Sequence, residues 1–324
     1  MPSYDLDPEL AAALAAVPKG ANGALMDFSD IPAYRAQAEA AFARFPLPDP
    51  DLRVTLSTLT LTRTDGPPLD VVVFHPGDTA RPRPALLYFH AGGQVVGSAH
   101  DRFVRVHGAT MALDLDVVLA VVDYRLAPET QAPGAAEDGY LAYTHLLAHA
   151  AELGIDPERI GLAGASGGGA PATATALMAR DRGDRKPRLL ALSYPMLDDR
   201  NTTASSREIT DLGVCDRREC LYAWEAVLGD RMGAPDLHPY CAPGRATAAD
   251  LAGLPDTFIA AAQYDVFRDE NIDFAQRLIA AGVPVDLHLY AHAFHAWDVL
   301  APTSGLAKTF TETWYGYLRR HLHG

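Results

Sequence analysis

The chain of 324 residues carries 27 Lys and Arg against 41 Asp and Glu, a formal net charge of −14 at pH 7, and 48% of its residues are hydrophobic. That balance supplies no basic surface for nucleic-acid phosphates, and no run reaches the roughly eighteen apolar residues of a membrane span. The length is enough to bury one large α/β core, and the acidic excess reads as a solubility feature of a solvated surface, with steering of cationic substrates as the alternative.

Residues 7–17 predict a helix, with Asp7 as N-cap and Pro8 at the first helical position. A second helix is expected over residues 31–45, and Phe45-Pro46-Leu47-Pro48-Asp49-Pro50 then reads as a stiff connector. Residues 53–62 alternate apolar with polar and, together with 69–74, predict an antiparallel hairpin turned at Asp65-Gly66-Pro67-Pro68. From there strands alternate with helices: residues 85–89, 117–124, 160–163, 189–194, 257–264 and 285–290, the pattern of a mostly parallel sheet. An insertion at 198–254 separates the sixth strand from the seventh, and its helix at 217–228 carries Leu221, Tyr222, Trp224 and Val227.

The expected organisation is a core with a lid. Residues 1–50 contribute helices to a cap, 51–197 form the first part of the core, 198–254 the cap insertion and 255–324 the second part of the core. Cys215, Cys220 and Cys241 form an odd set without paired spacing, which points to a reducing compartment. Met1 to Asp7 has neither the basic nor the apolar region of a signal peptide, so a cytoplasmic location is expected.

The chemistry begins at Gly164-Ala165-Ser166-Gly167-Gly168, between the apolar run 159–163 and an Ala-rich helical stretch from 168 to about 180. A sharp strand-to-helix turn that exposes a nucleophile needs small residues on both sides. Ser166 is therefore the candidate nucleophile, against the plainer reading of an ordinary βα turn. Upstream, His90-Ala91-Gly92-Gly93 follows another apolar run. Acyl transfer needs backbone N–H donors aimed at a developing oxyanion, and the amides of Gly92, Gly93 and Gly167 would supply them. His90 is expected to pack beneath this loop and not to act as base.

A serine nucleophile also needs a base and an orienting acid, and the fold that carries such a strand-turn-helix elbow sets the chain order serine, acid, histidine. The strand 257–264 delivers Asp265 at its C-terminal end, and His295 follows the last strand about thirty residues later. His292 is the rival base, Asp269 the rival acid, and His288 a strand residue at the solvent or sheet edge. No H-E-x-x-H helix and no neighbouring cysteine supports a metal reading.

Taken together, His90-Ala91-Gly92-Gly93-Gln94-Val95-Val96-Gly97-Ser98, Asp123-Tyr124-Arg125-Leu126-Ala127-Pro128-Glu129, the Ser166 elbow, Asp265-Val266-Phe267-Arg268-Asp269-Glu270 and His295-Ala296-Trp297-Asp298 run in a family order. On these pieces the chain resembles the hormone-sensitive-lipase-like family of α/β-hydrolase carboxylesterases. The resemblance implies an α/β-hydrolase fold, with a mostly parallel eight-stranded sheet flanked by helices and a helical cap. It implies Ser166 as nucleophile, His295 as general base, Asp265 as its orienting acid, Gly92, Gly93 and Gly167 as oxyanion donors, and Gln94, Tyr222 and Trp224 as substrate-binding candidates. For Tyr222 and Trp224, packing on the core is the competing reading. The sequence departs from the family at Ala91 in H-G-G-G, at Ala165 where an acid usually precedes the nucleophile, at Gln94 in an apolar or aromatic place, and at Ala296 and Trp297 after the histidine.

The function these residues imply is hydrolysis of short- to medium-chain carboxylic esters through an acyl-enzyme. The partner is a small-molecule ester, with no cofactor, no metal, no nucleic acid and no membrane insertion, in a monomer or homodimer. A deacylase or lactonase of a natural product, a non-hydrolytic ligand-binding relative, and an interfacial lipase are the alternatives.

Overall fold

The strand-forming runs assemble into one eight-stranded sheet in a computed structural model, which describes residues 4–17, 25–44 (backbone only from 39), 49, 51–77, 81–212 and 214–324. The strands are β1 (Val54–Leu61), β2 (Leu69–Pro76), β3 (Arg83–Phe89), β4 (Val118–Val122), β5 (Ile155–Ala165), β6 (Leu190–Ser193), β7 (Thr257–Tyr264) and β8 (Val285–Phe294). Their order is β1-β2-β4-β3-β5-β6-β7-β8. β2 runs antiparallel to both β1 and β4, and every other pair is parallel.

Side chains alternate across a strand, so each inner strand feeds two cores. Leu86, Leu119, Val121, Ala163 and Phe258 enter one, with the C-terminal helix Gly305–His323 and helix Arg102–Leu115 packed on it. Leu87, Phe89, Ala120, Leu162, Leu192 and Ile259 enter the other, beneath helices Gly134–Ala148, Gly169–Asp181 and Arg268–Ala280. Because both faces are covered, β4 is buried along its whole length. Its continuous Val-Leu-Ala-Val-Val run is what a strand enclosed on two sides requires.

The hairpin forms as expected, with Val54 opposite Pro76 and Leu61 opposite Leu69. At the N-terminus, helix Pro8–Ala16 is capped by the Asp7 carboxylate, which accepts from the amides of Glu9 at 2.9 Å and Leu10 at 3.3 Å. The second helix, Ile31–Arg44, follows a 3-10 turn at Phe28–Asp30. The Pro-rich connector, Asp49 apart, lies outside the described residues.

Most strand limits differ from expectation by one or two residues, and the larger shifts follow from pairing with a neighbour. β5 starts at Ile155 because that residue pairs with Arg83 across a bulge. β4 is trimmed to five residues, and β8 continues to Phe294, opposite Tyr264, after a register shift. His295 therefore stands directly at a strand end and not within a longer loop. Among the described residues no helix is long and apolar enough to cross a membrane.

Candidate active site

Four parallel strands end at one rim of the sheet, where open α/β sheets gather their functional groups. β3 leads into His90, β5 into Ser166, β7 into Asp265 and β8 into His295. At the end of β5 the chain turns through a 3-10 segment, Ser166–Gly168, into helix Gly169–Asp181. Ser166 is held at φ +51°, a left-handed conformation that costs a non-glycine residue of order 1 kcal/mol or more. The flanking positions admit no side chain: a Cβ at 164 would lie 2.4 Å from the Gly168 carbonyl oxygen, and one at 168 would lie 2.3 Å from that of Phe89. The pentapeptide is thus a steric requirement of the turn.

Ser166 Oγ lies 2.9 Å from His295 Nε2, and His295 Nδ1 lies 2.8 Å from Asp265 Oδ2. The second oxygen of Asp265 accepts from the Phe267 amide at 3.0 Å. A carboxylate only accepts, so Nδ1 carries a proton, and Nε2 of the neutral imidazole is free to accept from the serine hydroxyl. The three side chains are 8%, 3% and 0% exposed in that order, so the series is nearly closed to water. Burial pulls the imidazole pKa down, but Asp265, then Cys215 and Asp298, outweigh it and push His295 up to about 9. Tyr194 and Phe267 stand edge-on to the imidazole, with ring centroids 4.9 and 5.3 Å away.

The loop after β3 is positioned against the elbow. A Cβ on Gly167 would lie 2.5 Å from the Gly93 nitrogen and 2.6 Å from that of Gln94, so this approach depends on glycine. The directions of the loop amides follow from the carbonyls next to them, because N–H and C=O point oppositely in a trans peptide. His90 Nδ1 donates to the Ala91 carbonyl at 2.8 Å, which turns the Gly92 N–H away from His90. The Gly92 carbonyl accepts from Val95 and Val96 at 2.9 and 3.0 Å, which turns the Gly93 N–H outward from the turn. Of the expected oxyanion donors, Gly93 and Gly167 thus lie side by side. The atoms nearest a Gly167 side chain belong to Gly93 and Gln94, with Gly92 one peptide further back.

A family model described as alpha/beta hydrolase fold matches residues 86–299. The chain belongs to the hormone-sensitive-lipase-like family of α/β-hydrolases. It is 37% identical over 248 residues to esterase LipI of Mycobacterium tuberculosis, covering 74% of each chain. Over 279 residues it is 34% identical to carboxylesterase NlhH of the same species, covering 85% of this chain and 84% of that one. Among solved structures it resembles a bacterial heroin esterase, with a TM-score of 0.90 and 38% identity over 99% of both chains.

The family's Asp-Tyr-Arg-Leu-Ala-Pro-Glu run turns out to be the cradle of the loop after β3, a role that sequence reasoning did not assign. Asp123 accepts from Ser98 Oγ at 2.7 Å and the Ala99 amide at 2.8 Å. Tyr124 donates to the His90 carbonyl at 2.7 Å and stacks on the His90 ring at 4.3 Å. Arg125 reaches Asp138, the Ala127 amide donates to the Gln94 carbonyl at 2.9 Å, and Glu129 pairs with Arg35. His90 therefore packs under the loop as expected, and burial lowers its pKa.

The other sequence candidates separate. Phe28 and Ala223 flank Gly93, their nearest side-chain atoms 3.1 and 3.4 Å from where its Cβ would stand, so the 3-10 turn and helix Arg217–Leu228 both overlie the loop. Trp224 is fully enclosed in the core, Tyr222 is half-buried against it, and Gln94 is buried at φ +62° with no partner for Nε2 among the described residues. His292 is exposed, its Nδ1 2.7 Å from the Asp5 carbonyl, and Asp269 is taken up by Arg268 and the Ser205 amide. His288 is half-buried on the edge strand and stacks on Phe258. The three cysteines are free and buried, with Cys215 Sγ 3.2 Å from Cys220 Sγ. Among the described residues no three His, Cys, Asp or Glu side chains gather as a metal site.

Proposed function

We propose that this chain hydrolyses carboxylic esters with small acyl groups through an acyl-enzyme on Ser166. The observation that carries the reading is the unbroken series from Ser166 Oγ through His295 to Asp265, with bonds of 2.9 and 2.8 Å. Ser166 Oγ attacks the ester carbonyl as His295 Nε2 takes its proton, and Asp265 stabilises the imidazolium that forms. The carbonyl oxygen becomes an oxyanion held by the amides of Gly92, Gly93 and Gly167. The C–O bond then breaks and the alcohol departs with the proton from His295. Water attacks the acyl-enzyme by the same route, its proton passing to His295, and the acid is released as Ser166 recovers its hydrogen.

Near-closure supports a short acyl group. Ser166 is only 8% exposed, and the Phe28 turn together with helix Arg217–Leu228 acts as the cap over it, with residues 198–254 as its insertion. Three buried free thiols support a reducing, cytoplasmic setting.

A panel of p-nitrophenyl esters from acetate to laurate, run on the native chain and on Ser166→Ala, tests the reading. Turnover of the acetate or butyrate should fall by about 10⁵-fold or more in the variant. Retained turnover in Ser166→Ala, or ligand binding without turnover in the native chain, overturns it. A preference for emulsified long-chain esters would make the protein an interfacial lipase.

A further inference from the structure

The loop after β3 is secured at both ends, by Tyr124 on the His90 carbonyl and by Asp123 on Ser98 and Ala99. Its crest is held differently. Arg35, on helix Ile31–Arg44, donates from Nε to the Val95 carbonyl at 2.7 Å and from Nη2 to the Ala127 carbonyl at 2.7 Å. Its guanidinium also grips both oxygens of Glu129, at 2.7 and 2.9 Å. Among the described residues, Arg35 is the one side chain that donates to a carbonyl between Gly92 and Val96.

The consequence follows from peptide planarity. Fixing the Val95 carbonyl fixes the opposite-pointing Val96 N–H, which donates to the Gly92 carbonyl at 3.0 Å. Fixing the Gly92 carbonyl in turn fixes the Gly93 N–H, which faces the elbow beside Gly167. A cation at the far end of such a series also polarises each bond in the same sense, so the final N–H becomes a better donor to an anion.

We infer that Arg35 is a positioning residue for the oxyanion loop, acting through the Val95–Val96 and Gly92–Gly93 peptides on the Gly93 amide. This rests on the Ser166 esterase reading for its catalytic meaning, but the structural link stands without it. Helix Ile31–Arg44 is then part of the machinery that shapes the transition state. Arg35 touches neither substrate nor Ser166, so its removal acts on the step where the oxyanion forms and leaves ground-state binding alone.

Arg35→Met, Arg35→Lys and Glu129→Gln test the relay. Losing an oxyanion donor outright costs about 10²–10³ in kcat, and an indirect loss of aim should cost about tenfold. Arg35→Met is expected to lower kcat for p-nitrophenyl acetate by that factor with KM within twofold, and to raise the Ki of a methyl trifluoromethyl ketone in parallel. The Gly93 amide proton should move in its nuclear magnetic resonance spectrum. Arg35→Lys, which keeps the charge but not both carbonyl contacts, should fall between, and Glu129→Gln, which weakens the grip on the guanidinium but leaves its carbonyl bonds in place, should lose less than Arg35→Lys. If Arg35→Met fails to fold, the ranking of the other two decides: a loss in Arg35→Lys no larger than in Glu129→Gln overturns the relay. A native kcat and Ki in Arg35→Met, or an unmoved Gly93 amide, overturns it as well. An inactive native chain would sink the esterase reading instead, and the Gly93 amide would still decide the relay.

Discussion

Replacing Asp265 with Asn should remove nearly all activity while preserving the shape of the site, and the reason lies in the Phe267 amide. Asp265 Oδ1 accepts from that N–H at 3.0 Å, and Oδ2 faces His295 Nδ1 at 2.8 Å. An Asn in the same place keeps its carbonyl on the Phe267 N–H, since the flipped amide would set two donors against each other. Its NH2 group then faces Nδ1, so Nδ1 must accept, Nε2 carries the proton, and the imidazole cannot take a proton from Ser166.

The expected loss in kcat/KM is about 10⁴-fold, the size that a wrong imidazole tautomer gives. The pH profile supplies a second reading. In the native chain, burial opposes the charged imidazole but Asp265 holds its pKa up to about 9, a shift worth about 3 kcal/mol. The base must be neutral, so native kcat/KM should fall as pH drops below that limb. Without the carboxylate its largest upward influence is lost, burial is opposed only by Cys215 and Asp298, and the limb should move down. Linkage gives the same sign for stability. A raised histidine pKa stabilises the fold fully below 6.5 and loses that contribution as pH rises through about 9. The gap in stability between native and variant should therefore narrow across that window. Stopped-flow hydrolysis of p-nitrophenyl acetate from pH 5 to 10, with urea unfolding at each end, measures both. A variant that retains a tenth of native kcat/KM, or an unmoved limb, refutes the assignment.

Gly167→Ala would set a methyl 2.5 Å from the Gly93 nitrogen, and a displacement of about 1 Å in the loop should lower kcat by about 10²-fold, measured against the acetate ester. A native kcat would show that the loop has room to yield. Asp138→Ala leaves Arg63, 5% exposed, without its carboxylate while Arg125 keeps Asp65, and urea unfolding should report a loss of about 3–5 kcal/mol. Trp224→Ala should cost about 3–5 kcal/mol by the same measurement, because the ring is fully enclosed. A change confined to KM, with stability intact, would instead make Trp224 a substrate contact.

The inner strands were legible because each is a short apolar run enclosed on both faces, and residues 257–264 came through to the residue. Helix 217–228 did too, since its apolar positions share one face and Gly229 ends it at φ +56°. The ends of β5 and β8 were not legible. Whether Ile155 or Phe294 extends a strand depends on finding Arg83 or Tyr264 opposite, a fact of pairing and not of local pattern.

The same division holds at the site. Ser166, Asp265 and His295 could be singled out as candidates because each follows an apolar strand, so its place at the sheet rim is local information. Their partners in support could not be found that way. Tyr124 works through the carbonyl of His90, 34 residues earlier in the chain, and Arg35 through the carbonyl of Val95, 60 residues later. A bond to a backbone carbonyl places no demand on the identity of the accepting residue, so the sequence around Val95 carries no mark of Arg35. What the sequence does show is the holding side, in the Asp-Tyr-Arg-Leu-Ala-Pro-Glu run and in one arginine on a helix that otherwise reads as a lid. A motif without reacting groups is therefore a pointer to backbone geometry: the residues that aim an amide are recognised by the carbonyls they hold, and only the fold shows which those are.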